Sequence, residues 1–388
     1  MWRDTLAHRL ETRRADALWR NRALYTPAGD AGLIGDGRRL HDFAGNDYLG
    51  LARDPRLAEA QAEGARRHGT GGRASHLVCG HLPPHHALEE RLAALTGRPR
   101  ALLFSTGYMA NLAVLQVLGD GAHLFQDRLN HASLLDGATL AGARSRRFHH
   151  ADLADLERLL TRAPADTARL VVSDGVFSMD GDVADVGGLA DVARRHAAAL
   201  VIDDAHGIGV LGDHGDGSVG FRHPVDAVPV LVGTLGKALG SAGAFVAGDD
   251  LLIDALTQLA RPYIYTTAQP PGVACATLRA LDILAAEPER RHHLQALTDH
   301  WRSRGAILGL PLLPSSTPIQ PVLLGDSART LHWARQLHDQ GFLVGAIRPP
   351  TVPRGQARLR ITLSAAHDRD TLDDLLDRLA ALAAEEAS

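Results

Sequence analysis

Hydrophobic and polar positions divide the chain into three stretches. Residues 2–22 place Leu6 and Leu10 with helical spacing on one face, which predicts an amphipathic helix. Residues 26–50 are rich in turn-forming types. From about residue 52 onward, helical runs alternate with short apolar segments, and this alternation predicts βαβ units with a mostly parallel sheet.

Short apolar runs mark the predicted strands. Those of the larger part of the chain are RALLF (100–104), HLF (123–125), ARLVVS (168–173), AALVID (198–203) and VPVLVG (228–233). The helices predicted between them cover 107–118, 131–140, 152–162 and 187–196. After the proline pair at 270–271, the pattern predicts helices within 272–308, strands near 319–324, 342–347 and 357–363, and a closing helix over 368–385.

We therefore predict an α/β protein with two domains behind an N-terminal extension. Residues 1–45 would form a helix and the extension, and residues 46–270 a large domain around a mostly parallel central sheet. Residues 271–388 would form a smaller α+β C-terminal domain.

The composition is that of a globular enzyme, with 45% apolar and 22% charged residues. A net charge of −4 argues against a nucleic-acid binder that relies on a basic field. No apolar run approaches the ~18 residues of a membrane span. Two distant cysteines, Cys79 and Cys275, exclude a disulfide framework and a CxxC zinc site. Because the N-terminus also lacks a secretory apolar region, we expect a cytoplasmic protein.

Lysine occurs once, at Lys237, among 41 basic residues. A guanidinium stays protonated and is a poor nucleophile, whereas a lysine amine can lose its proton and form a Schiff base. The surrounding VGTLGKALGSAGA (232–244) consists of small residues that leave room for a flat ligand, and Thr234 offers a hydroxyl to a phosphate. The alternative is a glycine-rich surface loop, but the apolar run before it argues against that interpretation.

The segment AALVIDDAHG (198–207) places Asp203 at the carboxyl end of a predicted strand, where open α/β sheets bind ligands. His206 follows three residues later. The alternative is that Asp203 and Asp204 only cap a loop. The next residues, GIGVLG (207–212), formally match a dinucleotide fingerprint, but a loop follows instead of the required helix, so nicotinamide binding is not predicted.

Three further turns carry candidate ligands. Gly107 and Tyr108 lie where a predicted strand passes into a helix, whose first amides can hold an anion. His131 begins another helix, and Ser178 follows a strand. The 21 histidines show no HExxH motif or other helical pairing with a carboxylate, so we predict no metal site.

Together these residues predict a pyridoxal 5'-phosphate (PLP) site. Lys237 would hold the aldehyde, and Asp203 would keep the pyridine nitrogen protonated so that the ring acts as an electron sink. The helix start at Gly107 and Tyr108 would hold the phosphate together with Thr234.

Eight motifs in order carry a resemblance to a known family. They are NDYLGL (46–51), GTGGRASHLVCG (69–80), STGYMAN (105–111), FSMDGD (177–182), DDAHGIGVLG (203–212), TLGKALG (234–240), IYTTAQPP (264–271) and LRIT (359–362). From about residue 15 to 385 the chain resembles the α-oxoamine synthases, PLP-dependent enzymes with the aspartate-aminotransferase fold (fold type I). The resemblance implies that fold, PLP, and a homodimer in which Thr266 or Thr267 reaches the other subunit's site.

The resemblance also assigns roles around the cofactor. Lys237 would carry PLP and act as the base on the substrate's α-carbon, and Asp203 would pair with the ring nitrogen. His131 would stack on the ring and could protonate the thioester carbonyl. Ser178 and His206 would lie near the ring hydroxyl.

Substrate contacts follow from the same resemblance. Asn46 and Arg360 would grip the amino-acid carboxylate, a bidentate task that suits arginine. Thr351 and Arg20 would line the acyl channel, with Arg22 as the alternative to Arg20.

One segment narrows the expected substrates. AIRPPTVPRGQARLRITLSAAH (346–367) resembles the members that condense L-alanine with a pimeloyl thioester in biotin synthesis, with release of CO2 and thiol. The donor is left open between acyl carrier protein and CoA. The alternatives are a sibling synthase that uses glycine or serine, such as a 2-amino-3-oxobutyrate CoA ligase, and a non-catalytic partner subunit. Asp174 stands where Glu is common in the family.

Overall fold

The structure, a computed structural model, describes residues 1–15, 18–164 and 166–387. The helices of this part are α1 (Trp2–Ala15), α2 (Pro55–His68), α3 (Pro83–Thr96), α4 (Gly107–Leu118), α5 (Ala132–Leu140), α6 (Leu153–Thr161), α7 (Val186–Arg195), α8 (Asp250–Leu259), α9 (Arg261–Ile264), α10 (Pro271–Ala286), α11 (Glu289–Ile307), α12 (Ser327–Asp339) and α13 (Arg369–Ala387). The strands are β1 (Tyr25–Pro27), β2 (Gly32–Gly35), β3 (Arg38–Phe43), β4 (Arg100–Phe104), β5 (His123–Asp127), β6 (Arg144–Phe148), β7 (Arg169–Asp174), β8 (Ala199–Asp203), β9 (Val230–Thr234), β10 (Ala244–Gly248), β11 (Ile319–Gly325), β12 (Phe342–Ile347) and β13 (Ala357–Thr362).

The larger sheet has seven strands in the order β4-β10-β9-β8-β7-β5-β6. Strands β5 to β9 run parallel to one another, and β10 lies antiparallel between β4 and β9. Separate apolar clusters cover the two faces, one including residues of α4, α5 and α8, the other residues of α6 and α7. Burial on both faces explains why the central strands are continuous apolar runs. The predicted mostly parallel sheet is confirmed.

The second sheet has the order β1-β2-β3-β12-β13-β11, and β3 pairs parallel with β12. The description of residues 26–50 as only turn-rich was therefore incomplete, since three strands lie there. Strand β3 reads RRLHDF and fully buries only Leu40 and Phe43, so it lacks the apolar run that marked the other strands. This sheet therefore takes three strands from the N-terminal part of the chain and three from the C-terminal part. The proposed boundaries at 45/46 and 270/271 stay predictions.

Helix α1 is shorter than the predicted 2–22 and buries none of its residues. Residues 16 and 17 lie outside the described part of the chain, and residues 18–24 have no regular structure. Leu6 and Leu10 are 46% and 38% exposed, so the predicted apolar face does not pack within the described part of this chain.

The structure confirms the helices predicted over 107–118, 131–140, 152–162 and 187–196, within 272–308 and over 368–385. No range was predicted for α2, α3, α8, α9 or α12. Strand β4 and helix α4 match the prediction residue for residue, whereas β6 and β10 were not predicted. Strand β6 reads RSRRF and exposes four of its five residues, so it has no apolar signal. Among the described residues, no helix combines the length and the apolar character that crossing a bilayer requires.

Candidate active site

The loop between β9 and β10 carries Lys237. The amide of Gly240 donates to the Lys237 carbonyl at 2.9 Å and closes the turn. Gly240 has φ +60°, and a Cβ there would overlap the backbone of Leu51. Only glycine satisfies both constraints, which explains why the sequence around the lysine is made of small residues.

The amine of Lys237 lies 2.8 Å from Nε2 of His206. Burial lowers the pKa of Lys237 to about 8, while the nearby carboxylates of Asp203 and Asp174 act in the opposite direction. Burial also holds the pKa of His206 well below its usual value, with Lys237 contributing further. A neutral imidazole beside an amine of lowered pKa is suited to moving a proton near neutral pH.

Asp203 ends strand β8 and is 7% exposed. Its Oδ2 accepts from Nδ2 of Asn111 at 2.6 Å, and its Oδ1 accepts from the Ala205 amide at 3.0 Å. Asn111 also donates to the hydroxyl of Ser133 at 2.8 Å. Two neutral amides therefore fix the direction of a buried carboxylate that faces the cavity.

These groups surround one cavity of about 220 Å³. It is lined by Gly107, Tyr108, Asn111, His131, Ser133, Asp174, Val176, Ser178, Asp203, Ala205, His206, Thr234 and Lys237. All eight residues predicted to bind the cofactor belong to this set. They lie at or just after the ends of five strands, β4, β5, β7, β8 and β9, which the sheet brings to one edge.

One end of the cavity is the start of helix α4. The first helical bond of α4 runs from the Ala110 amide to the Thr106 carbonyl, so the helix leaves the amides of Gly107 and Tyr108 without a partner. A Cβ at Gly107 would meet nothing within 4 Å. The hydroxyl of Thr234 lies in the same cavity wall. This end is suited to a phosphate group.

His131 caps helix α5, and its Nδ1 lies 2.7 Å from the hydroxyl of Ser133. Its ring meets Tyr108 edge-on at 6.4 Å between centroids. Desolvation lowers the pKa of His131, although Asp203 opposes the shift. The ring is therefore neutral and held at the cavity wall by its neighbours.

A chain of side chains links Lys237 to Arg360. Nδ1 of His206 lies 2.6 Å from the hydroxyl of Tyr48, which donates to Oδ1 of Asn46 at 3.4 Å. Nη2 of Arg360 donates to the same oxygen at 3.0 Å. Sequence reasoning identified the two ends and Asn46 but missed Tyr48. Its position in NDYLGL, two residues after Asn46, was the available signal.

Arg360 is 6% exposed and lies on β13 of the second sheet. Its Nε donates to the Ser178 carbonyl at 2.6 Å, and its Nη1 donates to the Thr362 hydroxyl at 2.9 Å. A nearly buried guanidinium held by neutral acceptors is suited to binding an anionic ligand.

Thr351 lines a second cavity of about 650 Å³, which shares His131 and Ser178 with the first. Its wall also contains Arg128 and Arg147, which sequence reasoning missed. Arg20 is exposed and is absent from the described lining of both cavities. The assignment of Arg20 to the acyl channel therefore stays a prediction.

Asp174 lines the first cavity. Its Oδ2 accepts from the His131 amide at 3.0 Å, whereas its Oδ1 is buried with no hydrogen-bond partner among the described residues. Burial, and then the charge of Asp203, raise the pKa of Asp174 well above its usual range. Folding therefore favours the protonated form of Asp174.

Comparisons with known proteins agree with this geometry. Residues 38–379 match the family model described as aminotransferase class I and II. An 8-amino-7-oxononanoate synthase from Chromohalobacter salexigens is 66% identical over 388 residues, which are 100% of this chain and 98% of the relative. One from Pseudomonas putida is 58% identical over 377 residues, 97% of this chain and 96% of the relative. The chain belongs to the class I and II aminotransferases, in their 8-amino-7-oxononanoate synthase branch.

Solved structures of related enzymes are similar to this chain over most of its length. A serine palmitoyltransferase from S. paucimobilis with bound PLP has a TM-score of 0.91 at 28% identity, covering 98% of this chain and 96% of the other. An 8-amino-7-oxononanoate synthase from Francisella tularensis has a TM-score of 0.79 at 29% identity, covering 90% of this chain and 99% of the other. The predicted fold type I, the PLP dependence and the acyltransferase class are confirmed.

The residues present fit PLP. The first cavity offers one amine, a buried carboxylate opposite it and an anion seat at a helix start. The unpartnered Oδ1 of Asp174 offers a further polar contact to a ligand. Lys237 would hold the cofactor's aldehyde through its amine, and Asp203 would hold the ring nitrogen through its carboxylate. Gly107, Tyr108 and Thr234 would hold the phosphate at the helix start.

Proposed function

We propose that this chain condenses L-alanine with a pimeloyl thioester to give 8-amino-7-oxononanoate, CO2 and the free thiol. The observation that supports it most is the pairing of Lys237 with Asp203 in one cavity, in a chain 66% identical to a protein of that name. Bound PLP supplies a covalent link to the amino acid and an electron sink for its α-carbon.

Lys237 is the proposed base on the alanine α-carbon. Its lowered pKa of about 8 leaves a usable fraction of neutral amine near pH 7. The bond to His206 holds Nζ in a fixed direction, and His206 is itself held by Tyr48. Proton transfer then occurs between two positioned groups, and the buried chain behind His206 excludes water.

His131 is the proposed donor of a proton to the thioester carbonyl oxygen. It is a wall of both cavities, so a group bound across their junction would contact it. Ser178 also lines both cavities. Ser178 and His206 would hydrogen-bond to the ring hydroxyl of PLP, and Asp203 would pair with its ring nitrogen.

Arg360 and Asn46 are the proposed binders of the alanine carboxylate. The buried guanidinium has neutral partners in the described structure, so a substrate carboxylate would supply its counter-charge. Arg360 reaches from the second sheet to the Ser178 loop. Substrate binding therefore depends on the packing of the two sheets' elements against each other.

The second cavity is the proposed acyl channel. Leu129, Val352 and the methyl group of Thr351 offer an apolar wall to a methylene chain, and Arg128 and Arg147 offer cationic groups to an anionic end or carrier. We keep both acyl carrier protein and CoA as donors. A carrier protein would need an exposed rim, and Arg147 on the exposed strand β6 supports that reading.

We further infer a homodimer in the cytoplasm. Thr266 and Thr267 lie in an irregular segment at the surface and Thr267 is exposed, which supports their proposed reach into another subunit's site. Helix α1 buries nothing within its own described chain. Both cysteines are free, as expected in a reducing compartment.

The test is a matrix of turnover measurements. Alanine, glycine and serine are each combined with pimeloyl, acetyl and palmitoyl thioesters of CoA and of acyl carrier protein. Lys237→Arg enzyme serves as the blank. We expect alanine with a pimeloyl thioester to have the highest kcat/KM by about tenfold or more. A preference for glycine with acetyl-CoA, or for serine with palmitoyl-CoA, would replace this function with that of a sibling synthase.

A further inference from the structure

A second cluster of titratable side chains lies outside the active site. His81, His86 and Glu89 line a cavity of about 340 Å³, together with His76 and Tyr263. None of these residues lines the PLP cavity. The PLP mechanism does not use them.

Three of these side chains converge as metal ligands would. The ligand atoms of His81, His86 and Glu89 all lie within 4.8 Å of one another. Nε2 of His81 is 3.8 Å from Oε2 of Glu89. His86 is 67% exposed in its side chain, so it can close onto an ion without moving the backbone. Two imidazoles and one carboxylate form a common zinc ligand set that leaves a position for water.

Glu89 presents one defined oxygen to the cluster. Its Oε1 accepts from the Leu103 amide on strand β4 at 3.0 Å, which leaves Oε2 directed at His81. The side chain is only 13% exposed. The hydrogen bond to strand β4 therefore orients the Glu89 carboxylate in the absence of an ion. Ion binding then loses less side-chain conformational entropy.

A hydrogen bond joins the rings of His76 and His81. Their Nδ1 atoms lie 3.0 Å apart, so one donates and the other accepts. With the proton on Nδ1 of His81, its Nε2 keeps a lone pair directed at Glu89. This arrangement matches the hydrogen bonds that orient metal-binding histidines.

His85 is a positioning residue in this cluster. Its Nδ1 accepts from the Leu82 amide at 3.0 Å, and its Nε2 donates to the Gln269 carbonyl at 2.9 Å. Both ring nitrogens are thus occupied, although the ring lies close to His76 and His81. These bonds hold the start of helix α3 in place and fix His81 beside it.

We propose that His81, His86 and Glu89 form a zinc site on the surface of the large domain. From the sequence we predicted no metal site, because we identified neither HExxH nor another helical pairing of a histidine with a carboxylate. The second part of that reasoning was wrong, since His86 and Glu89 are three residues apart on helix α3, a spacing that places both on the same face. The site would join helix α3 to the segment that precedes it. That segment contacts the 266–268 region, since the Ala268 amide donates to the Ala74 carbonyl at 2.9 Å.

The test measures zinc bound to the holoenzyme after removal of metals by a chelator. Competition with a coloured zinc chelator, followed by elemental analysis, gives stoichiometry and affinity. We expect one zinc per chain for the wild type, and affinity weakened at least about tenfold in His81→Ala and in His86→Ala. His86 is exposed, so His86→Ala keeps the test valid if His81→Ala folds poorly. Absorbance of bound PLP verifies folding of each variant.

The matched control is His196→Ala. His196 lies 3.5 Å from Glu157, the same separation as between His86 and Glu90, but among the described residues no third histidine, cysteine or carboxylate converges with this pair. Its zinc binding should equal that of the wild type. Wild-type protein that binds less than about a tenth of an equivalent at roughly 10 µM free zinc would overturn the site. Equal zinc binding by wild type, His81→Ala and His86→Ala would overturn it as well.

Discussion

At the scale of single residues, Lys237 is distinguished from the other cations by chemistry and by place. Every other basic side chain of the sequence is a guanidinium or an imidazole. Burial lowers the pKa of the Lys237 amine to about 8, and its contact with His206 holds it in the cavity. Covalent binding of an aldehyde cofactor therefore has one side chain available to it.

Borohydride treatment of the holoenzyme should attach the cofactor to Lys237 and to no other side chain, because only a lysine Schiff base is reducible there. A surface control, Arg194→Lys, adds a second lysine that is away from the cavity, and it should remain unlabelled. Peptide mass spectrometry measures both. Lys237→Arg should lose turnover by at least about 10³-fold, since it removes covalent catalysis and the base together. Retention of a tenth of wild-type turnover would refute the assignment.

Asp174 allows a prediction about stability and pH. Its pKa is raised in the folded protein, so the folded state holds this proton to higher pH than the unfolded chain. The stability linked to that proton is complete below about pH 4 and is lost as the pH rises toward the folded pKa. Asp174→Asn keeps a neutral side chain that can accept from the His131 amide.

The free energy of unfolding of apo Asp174→Asn, relative to that of apo wild type, should therefore rise with pH. The slope should be at most about 1.4 kcal/mol per pH unit between about pH 4 and 7. The side-chain amide introduced at position 174 shifts the free energy of unfolding by an amount that does not depend on pH, so it leaves the slope unchanged. Chemical denaturation at several pH values measures it. Parallel curves for the two proteins would show that Asp174 is ionised in the folded state.

How far residues could be predicted depended on whether their chemistry is local. Lys237 and Asp203 follow from their own side chains and from the strand ends that carry them. Tyr48, Asn111 and Ser133 act through hydrogen bonds to residues distant in sequence, and such pairings appear only when the chain is folded. No periodicity in the sequence encodes them.

At the scale of elements, prediction succeeded where a buried segment is also continuously apolar and distinct from its neighbours. Strand β10 is fully buried but reads AFVAG directly after the small residues around Lys237, and it was not predicted. Strand β4 and helix α4 are buried in the larger sheet's core, so their apolar pattern marks their ends. Strands β3 and β6 lie near solvent and carry arginines, so their backbone pairing leaves little trace in hydrophobicity. The anion seat was predictable because it needs only a strand, a glycine and a helix in that order.

That seat gives a prediction with an internal control. Gly107→Ala adds a methyl group to open space in the first turn of α4, so folding should be unaffected. The methyl group would occupy room that the phosphate needs, and the affinity for PLP should fall by about tenfold or more, which corresponds to about 1.4 kcal/mol. Gly187→Ala makes the same change in the first turn of α7, outside the cavity, where a Cβ meets its nearest neighbour at 3.6 Å. Fluorescence titration of the apo proteins compares them, and equal affinity in both would place the phosphate elsewhere.

At the scale of the whole molecule, two exposed features of the described chain are suited to contact with a second copy. Helix α1 buries no residue, and Thr267 is exposed on a segment whose neighbours Ala268 and Gln269 are buried. A symmetric dimer would cover both, and its two identical contacts would each bring one subunit's Thr266–Thr267 segment toward the other's PLP cavity.

Mixing two inactive variants tests this sharing of sites. Lys237→Arg removes the base, and Thr267→Arg, at an exposed position, would block the neighbouring subunit's phosphate seat without disturbing the core. In a hybrid dimer one site carries both changes, and the other takes Lys237 from one chain and Thr267 from its partner, so it is intact. Half of randomly reassembled dimers are hybrids, and about a quarter of all sites should regain activity. Each variant reassembled with itself is the control and should stay inactive. Sedimentation should show dimers throughout, and a mixture no more active than its parents would mean that each chain forms its site alone.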